Sequence, residues 1–332
     1  MQIADILLAA ALAVPASAFA DAALREQALK TFGALQAPSA SAIDTPEVRL
    51  GRDLFWDTRL SLDGKTACAS CHLDHGADRR VASIDAKGLP TSRHSPTVFN
   101  SMGQPSLRWL GDRKSGADQA EGSMTGSMGF ASKQVAVEKL VELRYAEAFK
   151  AAYPGEAEPL NARNYGRALE AYQATLVTPS AFDRFLGGDD RALDARQLEG
   201  LRIFMATGCT ACHNGPLLGG TLFMKFGLTR DYWLETGSAK PDTGRFAMTK
   251  KDEDKYVFRV PMLRNVALTA PYFHDGSVDT LDRAVRVMGV TQLGRTLDDA
   301  TVASIVAFLG TLSGEVPAHY SAPSHLAIPS KK

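Results

Sequence analysis

This sequence predicts a mostly α-helical fold in two similarly built domains, and three observations carry that prediction. The pentapeptides Cys68-Ala69-Ser70-Cys71-His72 and Cys209-Thr210-Ala211-Cys212-His213 use all four cysteines and begin 141 residues apart. Apolar residues recur at helical spacing ahead of each pentapeptide and between the two. Strand signals are weak throughout, and 332 residues suffice for two ordinary domains, one per pentapeptide.

C-x-x-C-H is the attachment sequence of c-type haem. Its two thiols add to the porphyrin vinyls, and the His that follows presents its imidazole to the iron. A zinc site would need four ligands converging on one ion and leaves a His after each second Cys unexplained. A redox dithiol accounts for C-x-x-C but not for the His, twice. Two covalent haems are therefore expected, bound through Cys68, Cys71 and His72 and through Cys209, Cys212 and His213. The fold class follows: a mostly α fold, as in small c-type cytochromes, with one domain per haem in which a few helices wrap the apolar macrocycle.

Taken in order, the chain opens on a secretory signal, residues 1–20. Ile6 to Val14 is a short apolar core and Ala18-Phe19-Ala20 fits a cleavage site, although Asp5 stands where positive charge is usual. The run is too short to span a bilayer and Pro15 interrupts it. A periplasmic protein of about 312 residues is expected after cleavage. The N-terminal domain is assigned to 21–180. Pro46 to Phe55 has helical apolar spacing and leads to the first motif; Asp194 to Met205 leads to the second. Gly51-Arg52-Asp53-Leu54-Phe55 and Gly200-Leu201-Arg202-Ile203-Phe204 read as a faint internal repeat. Val135, Val137, Leu140, Val141 and Phe149 mark one amphipathic helix, and Leu169, Tyr172 and Leu176 another that starts near Asn161. Pro179 to Asp190, rich in Gly and Asp, is the expected domain boundary, and the second domain is assigned to 190–320. Lys250 to Lys255 is a solvated run of mixed sign. A helix capped by Asp279 or Thr280 should run through Met288 and close at Gly289. A last helix, from about Asp298 to Leu312, is free to pack back on the first domain.

Composition narrows the function. Lys plus Arg and Asp plus Glu are both 37, which argues against a nucleic-acid binder. No stretch after the signal reads as a membrane helix. The sixth iron ligand then decides the chemistry: a Met thioether raises the potential and blocks substrate, whereas an open position admits peroxide or oxygen. Met205 is too near its own motif to reach the far face of the second haem, which leaves Met248, Met262 and Met288. Met288 shares the stripe Leu281, Ala284, Val285, Met288, a pattern that core packing explains as readily as ligation.

The stretch from Phe258-Arg259-Val260-Pro261-Met262-Leu263-Arg264-Asn265-Val266 through Pro271-Tyr272-Phe273-His274-Asp275-Gly276 closely resembles the bacterial di-haem cytochrome c peroxidase family, which includes the MauG-type enzymes. Leu281, Met288-Gly289, Gln292-Leu293-Gly294 and Ile305 to Leu309 continue the likeness. Upstream, Leu54 to Ser61, Arg93, Pro96-Thr97 and Asn100 fit it too, so that it covers nearly all of the mature chain. The resemblance implies two cytochrome-c-like domains packed with their haems at the interface. It puts the family's Met ligand of the electron-receiving haem on Met288, where MauG itself has Tyr. It puts the inter-haem Trp on Trp109, which could otherwise be a core aromatic, and the Gln beside the peroxide pocket on Gln119.

Three departures accompany it. Between His72 and Arg93 the chain offers only His75 where the family carries the His that caps its resting peroxidatic iron, and His75 is expected to pack at the surface or haem edge. The catalytic Glu aligns with Gly129; Glu121 is near it in sequence only. The family's interdomain calcium would retain Thr269 and Pro271 but meet His94 in place of Asn, and imidazole suits a hard cation poorly, so calcium stays an open expectation. The expected activity is reduction of hydrogen peroxide with electrons from a small c-type cytochrome or a cupredoxin. A MauG-like oxidation of a partner protein and a non-catalytic di-haem electron carrier are the alternatives. The sequence leaves a homodimer open.

Overall fold

The computed structural model describes residues 16–326, with side chains from residue 21. The apolar core of the expected signal segment lies outside the described residues. Among these the chain is helical with one small two-stranded sheet: α1 Ala16–Phe32, α2 Pro46–Trp56, α3 Cys68–Cys71, α4 Gly116–Thr125, α5 Lys133–Glu142, α6 Ala146–Ala152, α7 Ala162–Ala174, α8 Ala181–Leu186, α9 Ala195–Ala206, α10 Tyr232–Thr236, α11 Phe246–Thr249, α12 Leu281–Leu293 and α13 Asp299–Gly310. Strands β1 (Phe223–Lys225) and β2 (Val257–Arg259) pair antiparallel, Met224 opposite Phe258.

Two crossings of the same design organise the molecule. In the first half α2 lies across α7, and in the second α9 lies across α13. The faint repeat of the sequence is what brings each pair together. A Cβ at Gly51 would overlap the Ala168 carbonyl of α7, and one at Gly200 would overlap the Ser304 carbonyl of α13. Four residues on, one helical turn along the same face, Phe55 and Phe204 are buried and reach the central cavity. Each unit is thus a glycine that lets a second helix touch, a phenylalanine that floors the cavity, and a C-x-x-C-H just beyond. Gly200→Val should therefore cost about 3 kcal/mol, read as a lower denaturant midpoint of the haem-loaded protein, because backbone rather than a flexible side chain must yield.

The first core gathers Leu50, Leu54, Phe55 and Trp56 of α2 with Tyr165, Leu169 and Tyr172 of α7. The second gathers Phe182 and Phe185 of α8 with Leu201 and Phe204 of α9 and Val302, Ile305 and Phe308 of α13. At the junction Arg264, 1% exposed, is bidentate to Asp183, Nη1 to Oδ2 at 2.6 Å and Nη2 to Oδ1 at 2.9 Å.

Several sequence expectations need correcting. Leu24, Ala28 and Phe32 of α1 enter the second core, so the chain starts on the second unit rather than the first. Pro179 to Asp190 is not a linker, because Phe182 and Phe185 bury α8. The last helix, α13, does not return to the first unit. The tail beyond it does, seating Tyr320 and Leu326 in the first core. The helix expected from Val135 to Phe149 breaks into α5 and α6 where Arg144 turns left-handed, at φ 64°. Finally, Gly289 does not close its helix. Thr280 caps α12, which runs to Leu293 and ends at left-handed Gly294. A side chain at 289 would meet the Arg295 carbonyl and Leu297, both 2.9 Å away, as the chain folds back.

Candidate functional site

A single cavity of about 660 Å³ runs between the two units, and Cys68, Cys71, His72, Cys209, Cys212 and His213 all lie on its wall. Each C-x-x-C-H is wound in a short turn, α3 for the first and a 3₁₀ turn over Cys209–Ala211 for the second. His72 Nδ1 donates to the Gly76 carbonyl at 2.9 Å, and His213 Nδ1 donates to the Leu218 carbonyl at 3.0 Å. A carbonyl can only accept, so in both rings the proton sits on Nδ1 and the lone pair of Nε2 is left for a metal. Burial lowers the pKa of both imidazoles, which favours the neutral, ligating form. The tail adds a support, since the Tyr320 hydroxyl donates to the His72 carbonyl.

The thiols do not resemble a reactive pair. Burial, with Cys71 adding to it, pushes Cys68 up to about 12. Burial also raises Cys71, Cys209 and Cys212. Redox and metal-binding thiolates need the opposite shift. Two buried imidazoles of fixed tautomer, four cysteines and one long cavity suit two covalent haems.

The other residues singled out by sequence fall into two groups. On the cavity wall are Trp109, Gln119, His94, Met262, Met288, Thr269 and Pro271. Trp109 is held from two sides, its indole N–H donating to the His94 carbonyl at 2.8 Å and its own carbonyl accepting the Arg259 N–H at 2.8 Å. Gln119 Oε1 is buried without a hydrogen-bond partner. Away from the wall are His75, Glu121, Gly129 and Met248. Glu121 is ion-paired to Lys133 at 2.6 Å, and Met248 is largely exposed. Gly129 is left-handed at φ 81°, and a Cβ there would point at Leu62 and Ala86. Met262 and Met288 thus remain on the wall and Met248 leaves the contest. Among the described residues no group of three His, Cys, Asp or Glu side chains could hold a metal ion. The Thr269 hydroxyl is turned to the Asn265 and Val266 carbonyls, and His94 Nδ1 to the Arg80 carbonyl.

Sequence reasoning missed the carbonyls of Gly76 and Leu218, which fix the tautomers, and it missed Arg259 as a wall residue. The carbonyls had no sequence signal, because any residue supplies one. Arg259 lay in plain sight within Phe258-Arg259-Val260-Pro261, but its burial depends on segments far away in the chain.

Comparison with known proteins agrees with this geometry. The profile of the di-haem cytochrome c peroxidase family matches residues 45–191. A cytochrome c551 peroxidase of Pseudomonas aeruginosa is 45% identical over 282 residues, which cover 83% of this chain and 81% of that one. The cytochrome c551 peroxidase of Nitrosomonas europaea is 40% identical, with coverage of 82% and 83%. Among solved structures, a MauG-like protein associated with microbial copper homeostasis superposes with a TM-score of 0.74 at 27% identity, covering 87% of this chain and 97% of that one.

Proposed function

We propose that this chain, which belongs to the di-haem cytochrome c peroxidase family, reduces hydrogen peroxide to water at the His72 site with electrons that enter at the His213 site. It is a peroxidase-type oxidoreductase with two covalently attached c-type haems. The observation that carries the reading is the shared cavity, lined by both imidazoles and by Trp109, which is pinned between chain segments of the two units.

When bound, the haem at His72 supplies the iron for O–O cleavage and the haem at His213 takes electrons from a donor. The balance is H2O2 plus two protons plus two electrons to two waters. His72, its Nδ1–H fixed on Gly76, offers Nε2 as proximal ligand. Gln119 offers a buried, unpartnered amide oxygen to a peroxide O–H. Gly129 supplies no acid–base group, so proton transfer would fall to water, which the Gln119 amide oxygen can orient by accepting a hydrogen bond. Met288 would hold the iron of the second haem, and Met262 is its rival on the wall. Trp109 relays electrons between the sites. Trp109→Phe should slow that transfer tenfold or more, about 1.4 kcal/mol of barrier, while both haems stay attached; an unchanged rate in flash-reduction kinetics would reduce Trp109 to packing.

We assign the protein to the periplasm and the donor to a small c-type cytochrome or cupredoxin. Haem attachment outside the cytoplasm supports the first. The described residues contain no helix long and apolar enough to cross a membrane. Gly129 favours the MauG-like reading, while Met at 288 and the higher identity to peroxidases favour this one. Steady-state peroxide turnover with a reduced small cytochrome c separates the possibilities. Turnover coupled to cytochrome oxidation supports the peroxidase. Peroxide consumption that needs a partner protein supports the MauG-like enzyme, and no consumption leaves an electron carrier.

A further inference from the structure

Five guanidinium groups stand on the cavity wall, and four have acidic partners. Arg93 is bidentate to Asp242, Arg108 pairs with Asp112, Arg113 reaches Asp118 at 3.4 Å, and Arg264 holds Asp183. Arg259 has no carboxylate partner among the described residues. Its Nε donates to the Arg108 carbonyl at 3.0 Å and its Nη1 to the Gln104 amide oxygen, while Nη2 makes no hydrogen bond among them. Yet Arg259 is only 5% exposed, and desolvation pulls its pKa down to about 10. A buried charge without a counter-charge costs several kcal/mol. That cost disappears if an anion occupies the cavity beside it.

Position says which anion. Arg259 ends β2, and the pairing continues as Val260 N–H donates to the Leu222 carbonyl and the Val260 carbonyl accepts from Gly220, both at 2.8 Å. Gly219 lies against the His213 ring, a Cβ there falling 3.3 Å from Nδ1, and the next residue, Gly220, lies against the Gln104 side chain, a Cβ there falling 3.0 Å from the amide oxygen that accepts from Arg259 Nη1. Arg259 therefore stands on the His213 side of the cavity, where a haem held by His213 would present its propionates. A planar fork is the side chain that best matches a carboxylate.

We propose that Arg259 binds a propionate of the haem attached at Cys209 and Cys212 and, by neutralising that carboxylate beside the ring, raises the haem's reduction potential. The proposal rests on haem attachment at those cysteines, so the wild-type haem content is measured first. Fewer than two haems per chain would sink that premise and the proposal with it. Spectroelectrochemical titration of the haem-loaded protein then tests Arg259 itself. Arg259→Gln should lower the potential of the second haem and shift the first less, because an uncompensated carboxylate stabilises ferric iron. Arg259→Lys, which keeps the charge, should retain most of the wild-type value. Equal shifts in the two variants, or an unshifted second haem with both haems in place, would overturn the assignment. If Arg259→Gln does not accumulate, resonance Raman of wild type against Arg259→Lys decides. The propionate bending band of one haem should move, and two unmoved bands overturn the proposal.

Discussion

Met288→His is expected to lower the reduction potential of the second haem by a sizeable part of the ~0.8 V range that axial ligands span. A thioether favours ferrous iron over ferric, and an imidazole does so less. Met288 stands in the right place for this effect. It is on α12, on the cavity wall, with one helical turn on either side facing the same space through Ala284 and Gln292. Its partly buried side chain packs against the cluster that holds Leu110, Tyr232 and Val287, so histidine would enter an already shaped site. The variant should lose the thioether-to-iron absorption band and retain both haems. It should also accept electrons poorly from a donor of high potential, so peroxide turnover falls even though the His72 site is untouched. If band and potential are unchanged, Met262 is the next residue to replace. A shift in Met262→His alone would transfer the role to it.

The legible parts of this molecule are those in which chemistry constrains residues close together in sequence. Haem attachment needs two thiols and an imidazole within five positions, so six candidate residues could be read directly, and all six line the one cavity. The Gly51 and Gly200 repeat was legible for a related reason, since one helix carries both the contact glycine and the phenylalanine a turn later. What stayed hidden depends on distant segments. Nothing near residues 21–32 announces that α1 joins a core made by α8, α9 and α13. Gly289 looks like a stop signal, yet it serves the close return of Arg295 and Leu297. Arg144 carries no turn signature, but its left-handed backbone lets the Tyr145 N–H reach the Leu140 carbonyl at 3.1 Å and end α5. Arg259 reads as an ordinary surface arginine until the fold buries it with no carboxylate partner among the described residues.

The fully oxidised protein is expected to bind cyanide, and to react with peroxide, without prior reduction of the second haem. All seven histidines can be followed to establish this. His72 and His213 are the pair assigned to the two irons. His75 lies off the cavity wall, its backbone carbonyl holding the Thr97 hydroxyl at 2.7 Å. His94 is on the wall but pinned three ways: its N–H donates to the His274 carbonyl, its carbonyl accepts the Trp109 indole, and its Nδ1 donates to the Arg80 carbonyl. The His274 ring is stacked on Phe258 at 4.2 Å and lies beside Tyr232. His319 bonds Thr175 at 2.8 Å, and His325 pairs with Asp53 at 3.5 Å. Each imidazole beyond that pair is thus held by its partners or, as with His75, kept off the cavity wall, so none caps the first iron in this arrangement, and the loop after His75 carries Arg79, Arg80 and Lys87. Reaction rates of the oxidised and half-reduced forms should then agree within about tenfold, ~1.4 kcal/mol of barrier. Both should be modest, because Gly129 leaves proton transfer to water that Gln119 orients. Electron paramagnetic resonance reads the starting state, with one high-spin and one low-spin ferric signal expected. Two low-spin signals would show that another residue, His75 or His94 first, moves onto the iron, and that activation by reduction operates here after all.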